Sequence, residues 1–439
     1  MLLSFSQPLV SKLLTLVFSL ILVFSLILVF SSYFEKWTLP NTLILGTSHS
    51  ARLLKTNFGL KHIKTTDILS NLNVGHVHMT GSLVTDKAVR ETLSKSRPLL
   101  SEAEIADMVT SELGCVTPVI MMPAKYTEKE LRHAVASIVE MKLVNGGCNC
   151  LSANALVLSK QWEQKEEFRR LLIHKIKKKP NYPAYYPGSR QRRCSIKETY
   201  ESLGSNRVTV AESNRSRGSV QNPKDHVVIC ECGTPGETGY ENSALKAEAF
   251  GPVLAIVELD SSSDYRKESK NNNNHENKSN SIINYAQNVL GPFLNNKNNI
   301  YGSLSCTLMS PNSVNATVVE AVVASLRYGT VTVNCGTFMG YIAMTEGCVW
   351  GAHCEDYSRQ SGNGYIGNPL AVNGVDRTVV YGQFPTNALQ IETSFNLNEE
   401  PTFIFYSLVL VIVSFFSFHS RKCFYGYLLI LFCFTTKNK

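Results

Sequence analysis

The chain has 439 residues, a formal net charge of +8 and 44% hydrophobic residues. This length allows two or three domains with sizeable cores, and the scattered placement of the 12 cysteines excludes a small disulfide scaffold. The modest charge comes without a zinc-finger or RNA-recognition signature, which argues against a nucleic-acid partner. We therefore expect reduced thiols in a domain that faces the cytosol.

Both ends of the chain are strongly apolar. Residues 13–34 carry no charge and, at a rise of about 1.5 Å per residue, can cross the roughly 30 Å core of a bilayer. A second apolar run covers 402–418. These runs predict a transmembrane helix within the N-terminal segment 1–38 and a transmembrane tail within 401–439, hence a membrane-associated protein. The alternative is low-complexity sequence without a membrane role, because both ends differ in composition from the middle.

Between these ends, short apolar runs alternate with helical periodicity. The runs predict strands at 42–46, 226–230, 253–259 and 330–334, whereas residues spaced by three and four predict helices at 128–144 and 315–329. Alternation of this kind is typical of an α/β fold, in which helices cover a sheet.

Two segments break the alternation. The first begins with a polar, asparagine-rich run that cannot bury enough apolar surface to offset the entropy of ordering. It predicts a disordered insertion at 261–298. The second, 351–400, has no clear periodicity and its structure is left open.

The stretch "VNGGCNC" at 144–150 contains two cysteines that are candidates for a reactive thiol. Small residues before Cys148 and Cys150 allow a tight turn and close approach of a ligand. Each thiol is a candidate nucleophile, metal ligand or small core residue, and the last is the commonest outcome for a single cysteine. A second C-x-C lies at 230–232, but no partner has the spacing of a zinc site, so no metal site is predicted.

Four further motifs surround this turn. Each has an ordinary structural explanation, such as a helix N-cap at Ser82 or a core position for Phe250. The motifs are Thr-Gly-Ser at 80–82, Glu-Leu-Gly at 112–114, Glu-Ala-Phe-Gly-Pro at 248–252 and Gly-Thr-Val-Thr-Val-Asn at 329–334. Five motifs in this order resemble the NAD(P)-dependent aldehyde dehydrogenase superfamily, over roughly residues 70–350.

The resemblance implies roles for individual residues. Cys150, the fifth residue after Asn145, matches the family's nucleophile, and Glu112 matches its general base. Gly81 and Ser82 match the turn at the cofactor phosphates. The remaining matches are Glu248 and Phe250 at the nicotinamide ribose and ring, and Asn334 at the floor of the site.

The implied reaction oxidises a small-molecule aldehyde to a carboxylic acid with NAD or NADP, through a thiohemiacetal on Cys150. The implied fold is an incomplete Rossmann-type cofactor region at 39–112, followed by an α/β catalytic domain at 113–350 that faces the cytosol. A homo-oligomer is compatible with the resemblance. A membrane-anchored tail would suit long-chain aldehydes delivered from lipid.

Two alternatives remain open. The family's upstream Trp-Asn and Lys motifs have no counterpart here, and loss of one oxyanion donor costs about 10²–10³ in rate. The first alternative is therefore that the chain is a catalytically impaired remnant. The other alternative is thiol-dependent acyl transfer by Cys150 without NAD, against which the "EAFGP" motif argues.

Overall fold

The structure is a computed structural model of the chain. It describes residues 42–45, 66, 69–70, 74–180, 183–213, 225–261, 275–344, 347–354, 360–368, 374–382 and 384. Within these ranges, no helix is long and apolar enough to cross a membrane. The two predicted transmembrane segments, 13–34 and 402–418, lie outside the described residues and stay predictions.

A small parallel sheet opens the described part. Its strands β1 (Thr42–Leu45), β2 (His76–Thr80) and β3 (Val109–Glu112) lie in that order. Helices α1 (Leu83–Ser96) and α2 (Glu102–Asp107) connect β2 to β3. Apolar residues of β2, β3 and the two helices form one buried cluster, which includes Val77, Met79, Val89, Leu93 and Val109. The strands and helices form a parallel β-α-β arrangement, and the role of this region as part of a cofactor domain stays a prediction.

A larger mixed sheet follows, in the order β13-β10-β9-β4-β5-β8-β7-β6. All its neighbours are parallel except β6 and β7. Its strands are β4 (Pro118–Met121), β5 (Ala155–Ser159), β6 (Val208–Ala211), β7 (Val227–Gly233), β8 (Val253–Leu259), β9 (Ser305–Met309), β10 (Thr330–Val333) and β13 (Thr378–Tyr381). A separate hairpin pairs β11 (Val349–Gly351) with β12 (Tyr365–Gly367). The α/β prediction is confirmed.

Helices cover the large sheet and bury apolar clusters against it. The longest, α3 (Glu128–Leu143), begins at a capping box in which Thr127 and Glu130 satisfy each other's backbone donors. The others are α4 (Lys165–Lys178), α5 (Ser189–Glu201), α6 (Ser243–Lys246), α7 (His275–Tyr285), α8 (Gly291–Leu294), α9 (Ala316–Ala324) and α10 (Thr337–Ala343).

The predicted boundary at 112/113 falls where the two sheets meet. The small sheet ends at Glu112, and the large sheet begins at Pro118. The large sheet continues beyond residue 350, because β13 pairs with β10 at its edge. The region 351–400 therefore contributes a strand to the catalytic sheet.

The prediction of disorder over 261–298 is wrong from His275 onward. Residues 262–274 lie outside the described residues, but α7, a π-helical turn at Ala286–Leu290 and α8 form one helical stretch. Its apolar side chains are buried in the main core, namely Ile282, Tyr285, Leu290, Phe293 and Leu294. The polar run masked this periodicity, since apolar residues resume only at its end.

Truncation of Leu294 to alanine is expected to destabilise the protein by about 2–5 kcal/mol, because the side chain is fully buried and leaves a cavity. Gln287→Ala on the exposed side of the same stretch should change stability by less than about 0.5 kcal/mol. Denaturant unfolding of the full chain measures both. Equal, small effects would contradict the packing of this stretch.

Candidate active site

Four neighbouring strands of the large sheet, β9, β4, β5 and β8, bring their amino ends to one edge, because all four are parallel. The segments that precede these strands therefore meet there. Thr117, just before β4, donates its hydroxyl to the Cys150 carbonyl at 3.4 Å and lies 3.2 Å from Ser305 Oγ of β9. Glu248 precedes β8 along the chain. The sheet thus gathers Cys150 and Glu248 at its amino edge.

The thiol turn, residues 145–150, has an unusual backbone. Asn145, Gly146 and Gly147 have φ of 54°, 63° and 75°, three consecutive residues in the left-handed region. Glycine tolerates this region, and asparagine does so better than most residues. Asn149 secures the turn by donating its side-chain amide to the Val144 carbonyl at 2.9 Å. The small residues before the cysteines therefore build the predicted tight turn.

Gly147 also lacks room for a side chain. A Cβ there would lie 2.5 Å from the carbonyl oxygen of Gly251, in the turn that follows Phe250. The thiol turn and the Glu-Ala-Phe-Gly-Pro turn thus touch through two glycines.

We expect Gly147→Ala to lower the free energy of unfolding by about 1–2 kcal/mol from its positive φ and by about 1–3 kcal/mol more from the clash. Gly236→Ala is the matched control, since its φ is 86° and nothing lies within 4 Å of a Cβ there. Thermal unfolding separates the two contributions. If both variants lose the same free energy of unfolding, the clash with Gly251 does not destabilise Gly147→Ala.

Glu112 reaches the site from the carboxyl end of β3. Its backbone is held on both sides, as its carbonyl accepts from Gly81 N–H at 3.0 Å and the next residue, Leu113, donates to the Ser361 carbonyl at 2.9 Å. The side chain is 5% exposed, and Oε1 has no hydrogen-bond partner. Burial raises the pKa of Glu112, while interactions with the Trp350 indole and the Cys150 thiol oppose that rise. A carboxyl of raised pKa is a stronger base near neutral pH.

The Cys150 thiol is half-buried beside two carboxyl groups. Burial raises its pKa well above the usual range, and the neighbouring Glu112 and Glu248 raise it further. The thiol is therefore neutral at neutral pH, and its activation requires transfer of the proton to a base. Cys148 is buried instead, with its sulfur 3.6 Å from Ser189 Oγ, and both cysteines are free thiols.

Glu248 projects against the Glu-Leu-Gly motif. Its Oε2 lies 2.7 Å from the position of a Cβ on Gly114, so a side chain there would displace the Glu248 carboxyl. Its Oε1 is buried without a hydrogen-bond partner. Burial raises the pKa of Glu248 to about 8, although the Cys115 backbone N–H and the charge of Lys142 oppose the rise. An orphan carboxylate oxygen of this kind can accept a hydrogen bond from a ligand.

The other predicted cofactor residues lie in turns next to these groups. Gly81 contacts the Glu112 backbone, and Ser82 caps α1 by accepting from Thr85 N–H at 3.2 Å. The N-cap interpretation of Ser82 is confirmed, and the exposed N-terminus of the 14-residue helix remains available to an anion. Phe250 has a φ of 46°, and its ring meets Tyr186 edge-on at 4.7 Å.

Asn334 follows β10 at the carboxyl end of that strand, where its Oδ1 accepts from Ser310 N–H at 2.7 Å. This hydrogen bond joins the ends of β9 and β10, and the role of Asn334 at the floor of the site stays a prediction. The segment after it does reach the thiol turn, since Thr337 donates its hydroxyl to the Leu151 carbonyl at 2.7 Å.

Sequence reasoning missed several residues of the site. Trp350 is fully buried, and its indole interacts with the Glu112 carboxyl in the sense that lowers the pKa of Glu112. Ser361 bridges the Glu112 strand and β9, because its hydroxyl donates to the Gly114 carbonyl at 2.9 Å and accepts from Ser303 N–H at 2.8 Å. The Ser-Gly-Asn-Gly run at 361–364 was the available signal. In the part of the chain that the structure describes, no group of three or more His, Cys, Asp or Glu could hold a metal.

No family model matches the sequence, and no curated protein matches it. Solved structures do resemble the chain. Betaine aldehyde dehydrogenase from Staphylococcus aureus, in complex with NAD+, is 19% identical with a TM-score of 0.44, and the match covers 68% of this chain and 50% of that chain. Gamma-glutamyl-gamma-aminobutyraldehyde dehydrogenase from Burkholderia cenocepacia is 19% identical with a TM-score of 0.45, covering 69% and 51%.

The aldehyde dehydrogenase KauB from Pseudomonas aeruginosa gives a similar result, with 18% identity, a TM-score of 0.45, and coverage of 69% of this chain and 51% of that one. The chain thus spans about half the length of each solved chain. All three of these solved structures are described as aldehyde dehydrogenases.

Proposed function

We propose that the chain is an oxidoreductase of the aldehyde dehydrogenase superfamily that oxidises an aldehyde to a carboxylic acid with NAD or NADP. The observation that supports this most is the meeting of the Cys150 thiol with the buried Glu112 carboxyl. A nucleophile beside a base of raised pKa is the arrangement that covalent catalysis needs. Glu248 lies close to both groups. It raises the pKa of the Cys150 thiol, and Glu112 raises the pKa of Glu248.

The residues present fit a nicotinamide cofactor. Oε1 of Glu248 is buried and receives no hydrogen bond, so it can accept a hydrogen bond from a ribose hydroxyl. The first turn of α1, which follows Gly81 and the N-cap Ser82, offers backbone N–H groups to phosphates. Phe250, in its strained turn, would lie against the nicotinamide ring. When bound, the cofactor supplies an acceptor for the hydride of the aldehyde carbon.

The protein's own residues carry the remaining steps. Glu112 takes the proton from the Cys150 thiol, and the sulfur attacks the aldehyde carbon to form a C–S bond and a thiohemiacetal. Oxidation of that carbon leaves a thioester on Cys150. Glu112 then takes a proton from a water that attacks the thioester carbon, which breaks the C–S bond and releases the carboxylic acid.

A turnover assay of the full chain tests this proposal. A panel of short, long and aromatic aldehydes is offered with NAD+ or NADP+, and reduced nicotinamide is followed by absorbance, with the acid product identified by mass spectrometry. Acid formed in equal amount to reduced cofactor would support the proposal. No product from a folded chain with any aldehyde would contradict it and favour the impaired remnant, whereas thioester formation without cofactor would favour acyl transfer.

A further inference from the structure

A distant part of the chain lies along the outer edge of the small sheet. β3 is the last strand in the order β1-β2-β3, and a strand at an edge presents unpaired N–H and C=O groups. Residues 361–363, here called the edge segment, meet these groups, and Gly362 pairs antiparallel with Glu112. A Cβ on Gly362 would clash with the Ser111 carbonyl oxygen, so the two backbones are in direct contact.

The side chain of Asn363 takes the place of a peptide group in a neighbouring strand. Its Oδ1 accepts from the Ser111 N–H at 2.7 Å, and its Nδ2 donates to the Val109 carbonyl. These two backbone groups are two residues apart and point to the same side of β3, as strand groups do toward a partner strand. Asparagine supplies both an acceptor and a donor, whereas an ionised aspartate has no donor for Val109.

Ser361 connects this edge to the large sheet. Its carbonyl accepts from the Leu113 N–H at 2.9 Å, and its buried hydroxyl donates to the Gly114 carbonyl at 2.9 Å. The same hydroxyl accepts from the N–H of Ser303, just before β9, at 2.8 Å. The edge segment therefore ties the end of β3 to the large sheet, at whose amino edge Cys150 lies.

The backbone of Glu112 is fixed from both sides as a result. On the inner side its carbonyl accepts from the Gly81 N–H at 3.0 Å. On the outer side the N–H groups of both flanking residues, Ser111 and Leu113, are bonded to the edge segment. Among the described residues, Oε1 of Glu112 has no hydrogen-bond partner, so the backbone contributes strongly to the position of the carboxyl.

We propose that Asn363 and Ser361 are positioning residues that act through Glu112: the edge segment holds the end of β3 so that the Glu112 carboxyl faces the Cys150 thiol. The consequence for aldehyde oxidation rests on the proposed function. The hold on Glu112 does not, because it is a property of the chain without substrate or cofactor.

Replacement of Asn363 by alanine removes both bonds of its side chain to β3. We expect iodoacetamide to alkylate Cys150 about threefold faster or more near pH 8, because the Glu112 carboxylate, which raises the pKa of the thiol, is no longer held against it. The rate is followed on the Cys150 peptide by mass spectrometry, without aldehyde or cofactor. An unchanged rate in the folded variant would overturn the proposal.

A double-variant cycle separates an effect through Glu112 from a general loosening. In Glu112→Gln, the further change Asn363→Ala should alter the alkylation rate by less than about 1.5-fold, because no carboxylate remains to be displaced. An equal acceleration in both backgrounds would mean that the thiol has only become more accessible, and it would overturn the proposal. In a chain that oxidises aldehydes, Asn363→Ala should also lower kcat by about 10–10²-fold, since a misplaced base costs rate.

Asn295→Ala is the matched control. Its side-chain amide also bridges two backbone groups, since Oδ1 accepts from the Arg327 N–H at 2.8 Å and Nδ2 donates to the Ser325 carbonyl at 2.8 Å. These bonds join the end of α8 to the turn after α9, so the variant should leave the alkylation of Cys150 unchanged. The same acceleration in this control would contradict an effect specific to the edge segment.

Ser361→Ala serves if Asn363→Ala does not fold. It removes only the hydroxyl bonds to Gly114 and Ser303, and it should also give faster alkylation that is absent in the Glu112→Gln background. No acceleration would overturn the proposal. Alkylation needs no turnover, so a chain that fails to oxidise aldehydes still tests the edge segment.

Discussion

Replacement of Cys150 by alanine is expected to lower the rate of aldehyde oxidation by about 10⁴-fold or more, because no other group can form the thioester. The structure supports Cys150 over its neighbour, since Cys150 is half-buried beside Glu112, whereas Cys148 is buried against Ser189. The measurement is turnover with saturating aldehyde and cofactor. Mass spectrometry of the quenched protein should show the acyl adduct on Cys150.

Cys148→Ala is the matched control, two residues away in the same turn. It should retain at least a large part of the turnover and the adduct on Cys150. If Cys150→Ala keeps the activity while Cys148→Ala loses it, the assignment of the nucleophile is contradicted.

Replacement of Glu112 by glutamine should lower the turnover rate by about 10²–10⁴-fold, because the variant has no base for the thiol or the water. The same change should have the opposite effect on the reaction of Cys150 with iodoacetamide near pH 8. Burial and the Glu112 carboxylate both raise the pKa of the Cys150 thiol, so removal of that carboxylate lowers it and increases the thiolate fraction. Turnover and alkylation are measured on the same preparation.

Glu166→Gln, at a carboxylate 76% exposed on α4, is the control and should change neither rate. Slower turnover together with slower alkylation would indicate a distorted site. Unchanged turnover in Glu112→Gln would remove Glu112 from the base role.

The elements of regular periodicity could be predicted from the sequence. The helix predicted at 128–144 and the strand at 253–259 are observed at Glu128–Leu143 and Val253–Leu259. The strand is apolar over most of its length. The helix has apolar residues at helical spacing and begins at a strong signal, the capping box at Thr127. The thiol turn was predictable for a related reason, because consecutive glycines after an asparagine mark a left-handed backbone.

Long-range contacts could not be predicted in this way. Nothing local indicates that Ser361 holds the backbone next to Glu112, or that the Trp350 indole faces its carboxyl, since both contacts join segments more than two hundred residues apart. In the sequence, Lys142 resembles an ordinary solvated charge on a helix, whereas in the structure it is fully buried.

We propose that this chain holds a catalytic thiol next to a working cofactor site. Calorimetric titration of the full chain with NAD+ and with NADP+, repeated on Glu248→Gln, is the most direct test. We expect a dissociation constant between about 1 μM and 1 mM for at least one cofactor, with weaker binding in the variant. A folded chain that binds neither cofactor, or that binds equally well without the Glu248 carboxylate, would contradict it.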